Sequence, residues 1–298
     1  MGQPTEAEQP PETEQPTDLM LIDGHGLLFR MFYGIPMQLR SKDGLPLNAA
    51  IGFTGTVLKY IEQFDPQRML VVFDNEQPSF RSGLYPEYKL NRMVDYDELD
   101  DDENPFAQFK VIEDSLDALG IKHATHVGFE ADDAMASYER LAGNMATVVI
   151  SNDTDLLQLV NESTDVYADR GKKSIAYDVD TVISRFGVAP HSMVDFKAIT
   201  GDSSDNIPGL FGVGPKTAAK LIAQYGDIEC IVQQEASITP AKLREKIAAN
   251  HDLLLRNKQL ITLRRDVPLG FKLSDLNVDG PQYRGLRAID VLASTGYL

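Results

Sequence analysis

The stretch GDSSDNIPGLFGVGPKTAAKL places two carboxylates beside a turn rich in glycine. Asp202 and Asp205 are three residues apart, and Gly209, Gly212 and Gly214 follow them. Carboxylates repel a polyanion unless bound cations neutralise them, whereas closely spaced glycines let the backbone approach a phosphate. The combination therefore predicts carboxylates that hold a metal ion next to a turn that holds a phosphate backbone.

Seven further acidic residues, in the stretches LIDG, VVFD, GFEADD and SNDTD, are candidates to join this pair. They are Asp23, Asp74, Glu130, Asp132, Asp133, Asp153 and Asp155. Each has an ordinary explanation when taken singly, since acids favour helix N-termini, cap helices and close Asx turns. Nine converging carboxylates, however, would raise one another's pKa and would need cations to stay ionised. Oxygen ligands suit hard divalent ions, so the set predicts Mg²⁺ or Mn²⁺, and two such ions would suit in-line phosphoryl transfer.

Three apolar runs that each end near an aspartate predict buried strands. The runs cover residues 19–22, 69–73 and 148–150, and helical patterns cover residues 52–63 and 106–119 between them. Buried strands alternating with helices predict an α/β fold with a central parallel sheet flanked by helices. Ligands bind at the carboxyl ends of such strands, where Asp23, Asp74 and Asp153 lie in this chain.

The glycine-rich turn has neither the spacing of a Walker A loop nor the preceding strand of a dinucleotide-binding fingerprint. It is typical of a helix–hairpin–helix, in which Pro215 would begin a helix whose N-terminal amides face a phosphate. An ordinary helix–helix turn stays open as the alternative, but residues 208–268 carry nine basic and six acidic residues, which favours phosphate contact. The residues expected to contact DNA are Gly209, Gly212, Gly214, Lys216, Thr217 and Lys220.

The formal charge of −17, from 28 basic and 45 acidic residues, argues against nucleic-acid binding when taken as a whole. The acids are concentrated in residues 1–19, in residues 95–103 and in the candidate ligands, so local patches decide the question. Residues 1–17 have little to bury and predict a disordered acidic tail. The single cysteine, Cys230, excludes an internal disulfide and fits a reducing cytoplasm, and no apolar run approaches the ~20 residues of a membrane span.

Together these motifs resemble the 5′-nuclease family of flap endonucleases and 5′→3′ exonucleases. That family includes the N-terminal domain of bacterial DNA polymerase I and free-standing bacteriophage enzymes. The likeness runs from about residue 18 to at least residue 266, and SNDTDLLQLV and GDSSDNIPGLFGVGPKTA carry most of it. It implies a PIN-like nuclease core at residues 18–185 with a helical arch at about residues 79–113, and a helix–hairpin–helix (H3TH) region at residues 186–298.

The resemblance also implies roles for individual residues. Two metal sites are expected: Asp23, Asp74, Glu130, Asp132 and Asp133 mainly at the first, Asp153 and Asp155 near both, and Asp202 and Asp205 at the second. The segment FRSGLYPEYKLNR would place Arg81, Tyr88, Lys89 and Arg92 over the active site. Lys89 and Arg92 would contact the scissile phosphate, and Tyr88 would stack on a terminal base. The hairpin would hold a K⁺ ion, and His25 is expected to pack rather than to bind metal.

The expected function is a structure-specific 5′-nuclease that hydrolyses DNA near 5′ flaps, overhangs or nicks by a two-metal mechanism, in DNA replication and repair. RNA primers are a further candidate substrate. The chain has no room for a polymerase domain, which predicts a free-standing, monomeric, cytoplasmic enzyme of a phage or a bacterium. Two alternatives stay open: a non-catalytic DNA-junction-binding protein, and an RNA-directed PIN-like nuclease.

Overall fold

The structure is a computed structural model that describes residues 17–36, 39–75, 77–92, 94–278 and 280–298. The predicted acidic tail lies outside the described residues except for Thr17. That residue is buried, and its carbonyl accepts a hydrogen bond of 2.9 Å from the Gln67 amide. The first described residue is therefore already packed against the fold.

A six-stranded sheet forms the centre of the protein, in the order β3-β2-β1-β4-β5-β6. Its strands are β1 Leu19–Asp23, β2 Arg68–Phe73, β3 Lys122–Thr125, β4 Thr147–Ile150, β5 Thr164–Ala168 and β6 Ile175–Tyr177. The predicted parallel sheet is confirmed for β1 to β5, whereas β6 runs antiparallel to β5. The three strands that the apolar runs predict are β1, β2 and β4.

Helices cover both faces of this sheet. They are α1 Gly24–Gly34, α2 Asn48–Phe64, α3 Phe80–Leu84, α4 Phe109–Ala118, α5 Ala131–Ala142, α6 Val179–Phe186 and, near the C-terminus, α12 Ala288–Ser294. Successive β1 side chains enter opposite layers, because strand side chains alternate: Leu19 and Leu21 pack with the α5 layer, and Met20 and Ile22 with the α2 layer. Each fully buried aliphatic side chain stabilises the fold by roughly 1.5–3 kcal/mol.

The second half of the chain is mainly helical. It comprises α7 Met193–Thr200, the short antiparallel strands β7 Gly201–Asp202 and β8 Ile207–Pro208, α8 Pro215–Tyr225, α9 Ile228–Gln233, α10 Ala241–Ala248 and α11 His251–Ile261. Asn257 of α11 is fully buried and donates to the carbonyls of Ala198 and Pro208, at 3.0 and 2.7 Å. This amide ties α11 to the end of α7 and to the start of the glycine hairpin.

The predicted arch, residues 79–113, consists of short helical pieces rather than one long helix. After α3, single 3₁₀ turns cover residues 90–92, 96–98 and 105–108, and the last of these leads into α4. Among the described residues, no helix combines the length and the apolar character that crossing a membrane requires.

Candidate active site

Four predicted ligands open into one cleft at the carboxyl edge of the sheet. Asp23 is the last residue of β1, Asp74 follows β2, Asp153 follows β4, and Asp132 lies in the first turn of α5. Together they line a cleft of about 330 Å³. Because β1, β2 and β4 are adjacent and parallel, their ends meet at the same edge, as the sequence predicts.

Asp23 is held in place before the cleft receives any ligand. Its carboxylate accepts hydrogen bonds of 2.8 Å from the Gly26 amide and from the Ser151 hydroxyl. A Cβ on residue 26 would lie 2.3 Å from this carboxylate, so glycine is required there. Burial, together with the charges of Asp74 and Asp153, raises the pKa of Asp23 to about 6.

Asp132 shows the same crowding of carboxylates. Burial first, and then the charges of Asp153, Asp23 and Asp74, raise the pKa of Asp132 well above its ordinary value. Such mutual repulsion arises only where carboxylates lie close together. Asp153 itself accepts a hydrogen bond of 2.8 Å from the Asp155 amide, so it caps a 3₁₀ turn and also faces the cleft. Capping a turn and taking part in a metal site are therefore compatible roles for Asp153.

Asp74 stays ionised more easily than its neighbours. Burial opposes its charge, but the neighbouring His25 and a hydrogen bond of 2.8 Å from the Ala131 amide lower its pKa to about 2. His25 accepts a hydrogen bond from the Asp74 amide and otherwise contacts the rings of Phe29, Phe73, Phe106 and Phe109. The His25 ring thus packs among aromatic side chains, and it also lines the cleft beside Asp74.

The basic segment predicted at the arch base reaches the same cleft. Lys89 and Arg92 line it, and each forms an ion pair with a predicted ligand: Lys89 with Glu130 at 2.6 Å, and Arg92 with Asp205. Tyr88 is only 8% exposed, and its hydroxyl lies between Glu130 and Asp205, at 3.0 and 3.1 Å. With so little of the residue exposed, the predicted stacking of Tyr88 on a terminal base would require the ring to become more accessible.

A lysine that the sequence analysis missed occupies the expected second metal site. Lys197 of α7 is buried and forms ion pairs with Asp155 and with Asp202, the latter at 2.6 Å. Burial raises the pKa of Asp155 to about 7, whereas Lys197 outweighs burial at Asp202 and lowers its pKa to about 2. The only signal for Lys197 in the sequence is a charged residue among the apolar positions of HSMVDFKAIT.

Arg81 and Asp133 form a buried ion pair instead of facing the cleft. Arg81 is 2% exposed and Asp133 is fully buried, and two hydrogen bonds of 2.7 and 2.8 Å join them. The guanidinium also donates to the carbonyls of Leu260 and Thr262. The donors of Arg81 are thus committed to the protein interior, whereas the prediction places this side chain over the active site. The predicted ligand Asp133 likewise faces Arg81 in the interior and does not line the cleft.

The donor set of the cleft fits a hard metal ion, although its side chains are not preassembled around one. Among the residues that the structure describes, no three of the His, Cys, Asp and Glu side chains are arranged to hold a metal as they stand. The physical reason is charge compensation, since Lys89, Arg92 and Lys197 neutralise the ligands that a cation would otherwise neutralise. Asp23, Asp74, Asp132 and Asp153 remain open, and all-carboxylate donors are what hard divalent ions prefer.

The glycine hairpin follows β8 and leads into α8. Gly209 is packed against the end of α7, where a Cβ would lie 2.2 Å from the Thr200 carbonyl carbon and 2.4 Å from the Gly201 amide. Gly212 has a φ of 72°, which favours glycine, and the Lys246 ammonium donates to the Phe211 carbonyl beside it. The first glycine is thus required for internal packing, and the second for the turn.

The hairpin tip and the first turns of α8 are accessible. Pro215 occupies the first turn of α8, as predicted, and Gly214 precedes it with no neighbouring atom within 4 Å of its would-be Cβ. Lys216 and Lys220 are exposed, and Thr217 is partly buried. The sequence analysis did not single out Phe211, whose ring is 94% exposed at the tip.

Two family models divide the chain between them. Residues 18–187 match the 5′–3′ exonuclease N-terminal resolvase-like domain, and residues 188–284 match the 5′–3′ exonuclease C-terminal SAM fold. The chain belongs to the 5′–3′ exonuclease family. Membership confirms the resemblance that the motifs indicate.

Similar proteins of known sequence include bacterial DNA polymerases I. The enzyme of Rhizobium leguminosarum is 37% identical over 279 residues, which cover 90% of this exonuclease-family chain and 27% of the polymerase. The thermostable enzyme of Thermus filiformis is 34% identical over 277 residues, which cover 92% of this chain and 32% of that protein. The chain therefore spans less than a third of the length of these relatives.

Solved structures share the fold. The phage T5 5′-exonuclease with bound zinc aligns with a TM-score of 0.69 at 24% identity, over 94% of this chain and 97% of that one. The T5 flap endonuclease in a pseudo-enzyme–product complex with DNA and metal ions has a TM-score of 0.68 at 25% identity, over 94% and 96%. The catalytic core of Rad2 with DNA substrate has a TM-score of 0.59 at 18% identity, over 94% and 87%. The predicted fold class is thereby confirmed.

Proposed function

We propose that this chain is a structure-specific 5′-nuclease that hydrolyses DNA phosphodiesters near junctions of 5′ single strand and duplex. The observation that carries the proposal is the cleft in which Asp23, Asp74 and Asp132 lie opposite Lys89 and Arg92. A pure binding surface has no need of clustered, mutually repelling carboxylates, whereas metal-dependent hydrolysis does. The similarity to a T5 flap endonuclease solved with DNA and metal ions supports DNA as the substrate.

Different residues of the cleft would perform different steps. The carboxylates of Asp23, Asp74, Asp132 and Asp153 would hold divalent metal, with Mg²⁺ the proposed ion and Mn²⁺ its alternative. Bound metal would supply a water of lowered pKa and would neutralise the phosphate. Lys89 and Arg92 would donate to the phosphate oxygens, where negative charge develops during hydrolysis. Their ion pairs with Glu130 and Asp205 hold both side chains at the cleft before substrate arrives.

Asp155 and Asp202 are the proposed ligands of a second ion. Lys197 pairs with both carboxylates and offsets part of their negative charge. Because two carboxylates and one ammonium leave one negative charge, the pair can still attract a cation beside the lysine. Glu130 and Asp205 are the predicted ligands that Lys89 and Arg92 engage, and they would act through water rather than directly.

The hairpin region is the proposed duplex-binding surface. The amides at the start of α8, with Lys216 and Lys220, would contact a phosphate backbone, and a K⁺ ion is the proposed bridge at the glycines. The proposed division is a nuclease core at residues 18–185 and this region at residues 186–298. Flaps, overhangs and nicks are the proposed substrates, RNA primers are included, and the proposed enzyme is a monomer acting in the cytoplasm.

Cleavage of a labelled 5′-flap DNA tests the proposal. We expect cutting near the junction with Mg²⁺, none with EDTA, and none with Asp153→Asn, a change that keeps the cap on the 3₁₀ turn because asparagine caps equally well. Asp178→Asn is the matched control, since Asp178 caps α6 through the Thr181 amide and lies outside the cleft. Its cutting rate should equal that of the wild type.

The same assay separates the two alternatives. Tight flap binding without cutting under any condition would indicate a non-catalytic junction-binding protein. Faster cutting of a matched RNA flap than of the DNA flap would indicate an RNA-directed nuclease. Either result would overturn the proposed function.

A further inference from the structure

The segment that carries Lys89 and Arg92 is hydrogen-bonded to the loop that precedes the hairpin. We name residues 87–92 the basic segment and residues 202–206 the carboxylate loop. The side-chain amide of Asn206 donates to the Glu87 carbonyl at 2.7 Å, and the Lys89 amide donates to the Asp205 carbonyl at 3.0 Å. The carboxylate loop thus donates one hydrogen bond to the basic segment, and the basic segment donates one to the loop.

A second pair of contacts closes the other end of the basic segment. Asn91 donates through its side-chain amide to the carbonyls of Ser203 and Ser204, at 3.0 and 3.3 Å. The Arg92 guanidinium adds a hydrogen bond of 2.8 Å to the Ser204 carbonyl. The Ser203 carbonyl also accepts a bond of 3.4 Å from the Asn206 amide within the loop, and the basic segment supplies the other donors to the Ser203 and Ser204 carbonyls.

The backbone at this junction is held in an uncommon conformation. Lys89 has a φ of 57° and Asn206 a φ of 58°, so both residues lie in the left-handed region. Asparagine tolerates this region better than most residues, whereas lysine does not. Such conformations persist only where surrounding contacts over-determine them, and they cluster at functional positions. The contacts of Asn206 and of the Lys89 amide supply that constraint.

The carboxylate loop is continuous with the hairpin. The ladder of β7 and β8 closes the loop, and Gly201 lies so close to Gly209 that a Cβ on Gly201 would be 2.4 Å from the Gly209 amide. Because Gly201 and Gly209 are in close contact, we expect a shift of the hairpin to displace residues 203–206 as well. The basic segment is bonded to those residues, so it moves with them.

We propose that Asn206 and Asn91 are positioning residues that couple the duplex-holding hairpin to the side chains of Lys89 and Arg92 in the cleft. A duplex bound on the hairpin then determines where Lys89 and Arg92 meet the phosphate to be cut. The inference rests on the proposed function and adds the means by which the cut is placed at a defined distance from the bound duplex. Neither asparagine touches the reacting atoms.

Two variants test this coupling. Asn206→Gly keeps the left-handed backbone available and removes only the side-chain bond, and Asn91→Ala removes the bonds to Ser203 and Ser204. Asp65→Gly is the matched control, because Asp65 also has a positive φ, of 41°, but caps α2 near the amino edge of the sheet. The measurements are the single-turnover cutting rate of a 5′-flap DNA, the cut positions at one-nucleotide resolution, and flap affinity in EDTA by fluorescence anisotropy.

We expect each asparagine variant to cut about tenfold more slowly, the effect of losing one good hydrogen bond at the cleft, and to spread its cuts over neighbouring positions. Flap affinity in EDTA should stay within about twofold of wild type, since the hairpin itself is intact. A purely structural role would leave the cut positions where they are in wild type. Asp65→Gly should resemble wild type in all three measurements.

The outcomes are separable. Wild-type cutting together with unchanged rates and cut positions in both asparagine variants overturns the coupling and leaves the proposed function standing. A rate loss matched by an equal loss of affinity, with the cuts still in place, also overturns it. A wild-type protein that binds flaps without cutting overturns the proposed function and this inference together.

Discussion

Replacing Arg81 with methionine should destabilise the fold and leave the chemistry of the cleft intact. The sequence places Arg81 over the active site, whereas in the structure this α3 residue is buried against α5 and the end of α11. Its guanidinium makes four hydrogen bonds, two to Asp133 and one each to the carbonyls of Leu260 and Thr262. Methionine fills a similar volume and restores none of these bonds.

The size of the loss follows from what Arg81 leaves behind. Asp133 is fully buried and would keep only the Arg264 amide, at 2.8 Å, as a short hydrogen-bond donor. Removing one partner of a buried ion pair costs about 3–5 kcal/mol, because the remaining charge is uncompensated. Domain stabilities are typically about 5–15 kcal/mol, so the free energy of unfolding should fall by a large fraction. The double variant Arg81→Met with Asp133→Leu should recover most of this loss, since apolar replacement of both partners is often close to neutral.

Urea unfolding measures the stability, and flap cleavage with Mg²⁺ below the unfolding transition measures the activity. We expect the single variant to lose stability while its folded fraction cuts within about threefold of wild type, because no transition-state contact is removed. A cutting rate about 10²-fold lower with unchanged stability would refute the reasoning, and would return Arg81 to the active site where the sequence places it.

Three further outcomes are expected. Lys197→Met should lower the melting temperature in EDTA, because Asp155 and Asp202 lose the ammonium that pairs with them. Added Mg²⁺ should restore part of this loss. No response of the variant to Mg²⁺ would contradict a metal site at these carboxylates. Lys89→Ala should cut roughly 10²–10³-fold more slowly with flap affinity in EDTA retained, and an equal loss of affinity would contradict its role at the phosphate. Asp165 has a pKa raised by burial to about 6 from 3.8, so the folded metal-free protein binds more protons than the unfolded chain between those values. Its stability contribution should therefore fall as the pH rises from about 4 to 6, and urea titrations of Asp165→Asn should lack that component.

Three strands of the sheet were predictable because their signals are local. Apolar runs at β1, β2 and β4, each ending near an aspartate, predict buried parallel strands without knowledge of what packs on them. The strands β3 and β5 and the antiparallel β6 were not predicted, and Ile175–Tyr177 is too short to show a pattern. The helical arch was predicted by resemblance alone, and that resemblance did not predict its division into short turns.

The sequence by itself determined the composition of the site and the edge at which it forms. Asp23, Asp74 and Asp153 each follow a buried strand that the local pattern predicts, and the carboxyl ends of parallel strands share one edge of a sheet. Only the tertiary structure decided which acids stay open to a metal ion. Asp133 pairs with Arg81 over a separation of 52 residues and Asp155 pairs with Lys197 over 42, and ion pairs between distant segments leave no periodic trace in a sequence.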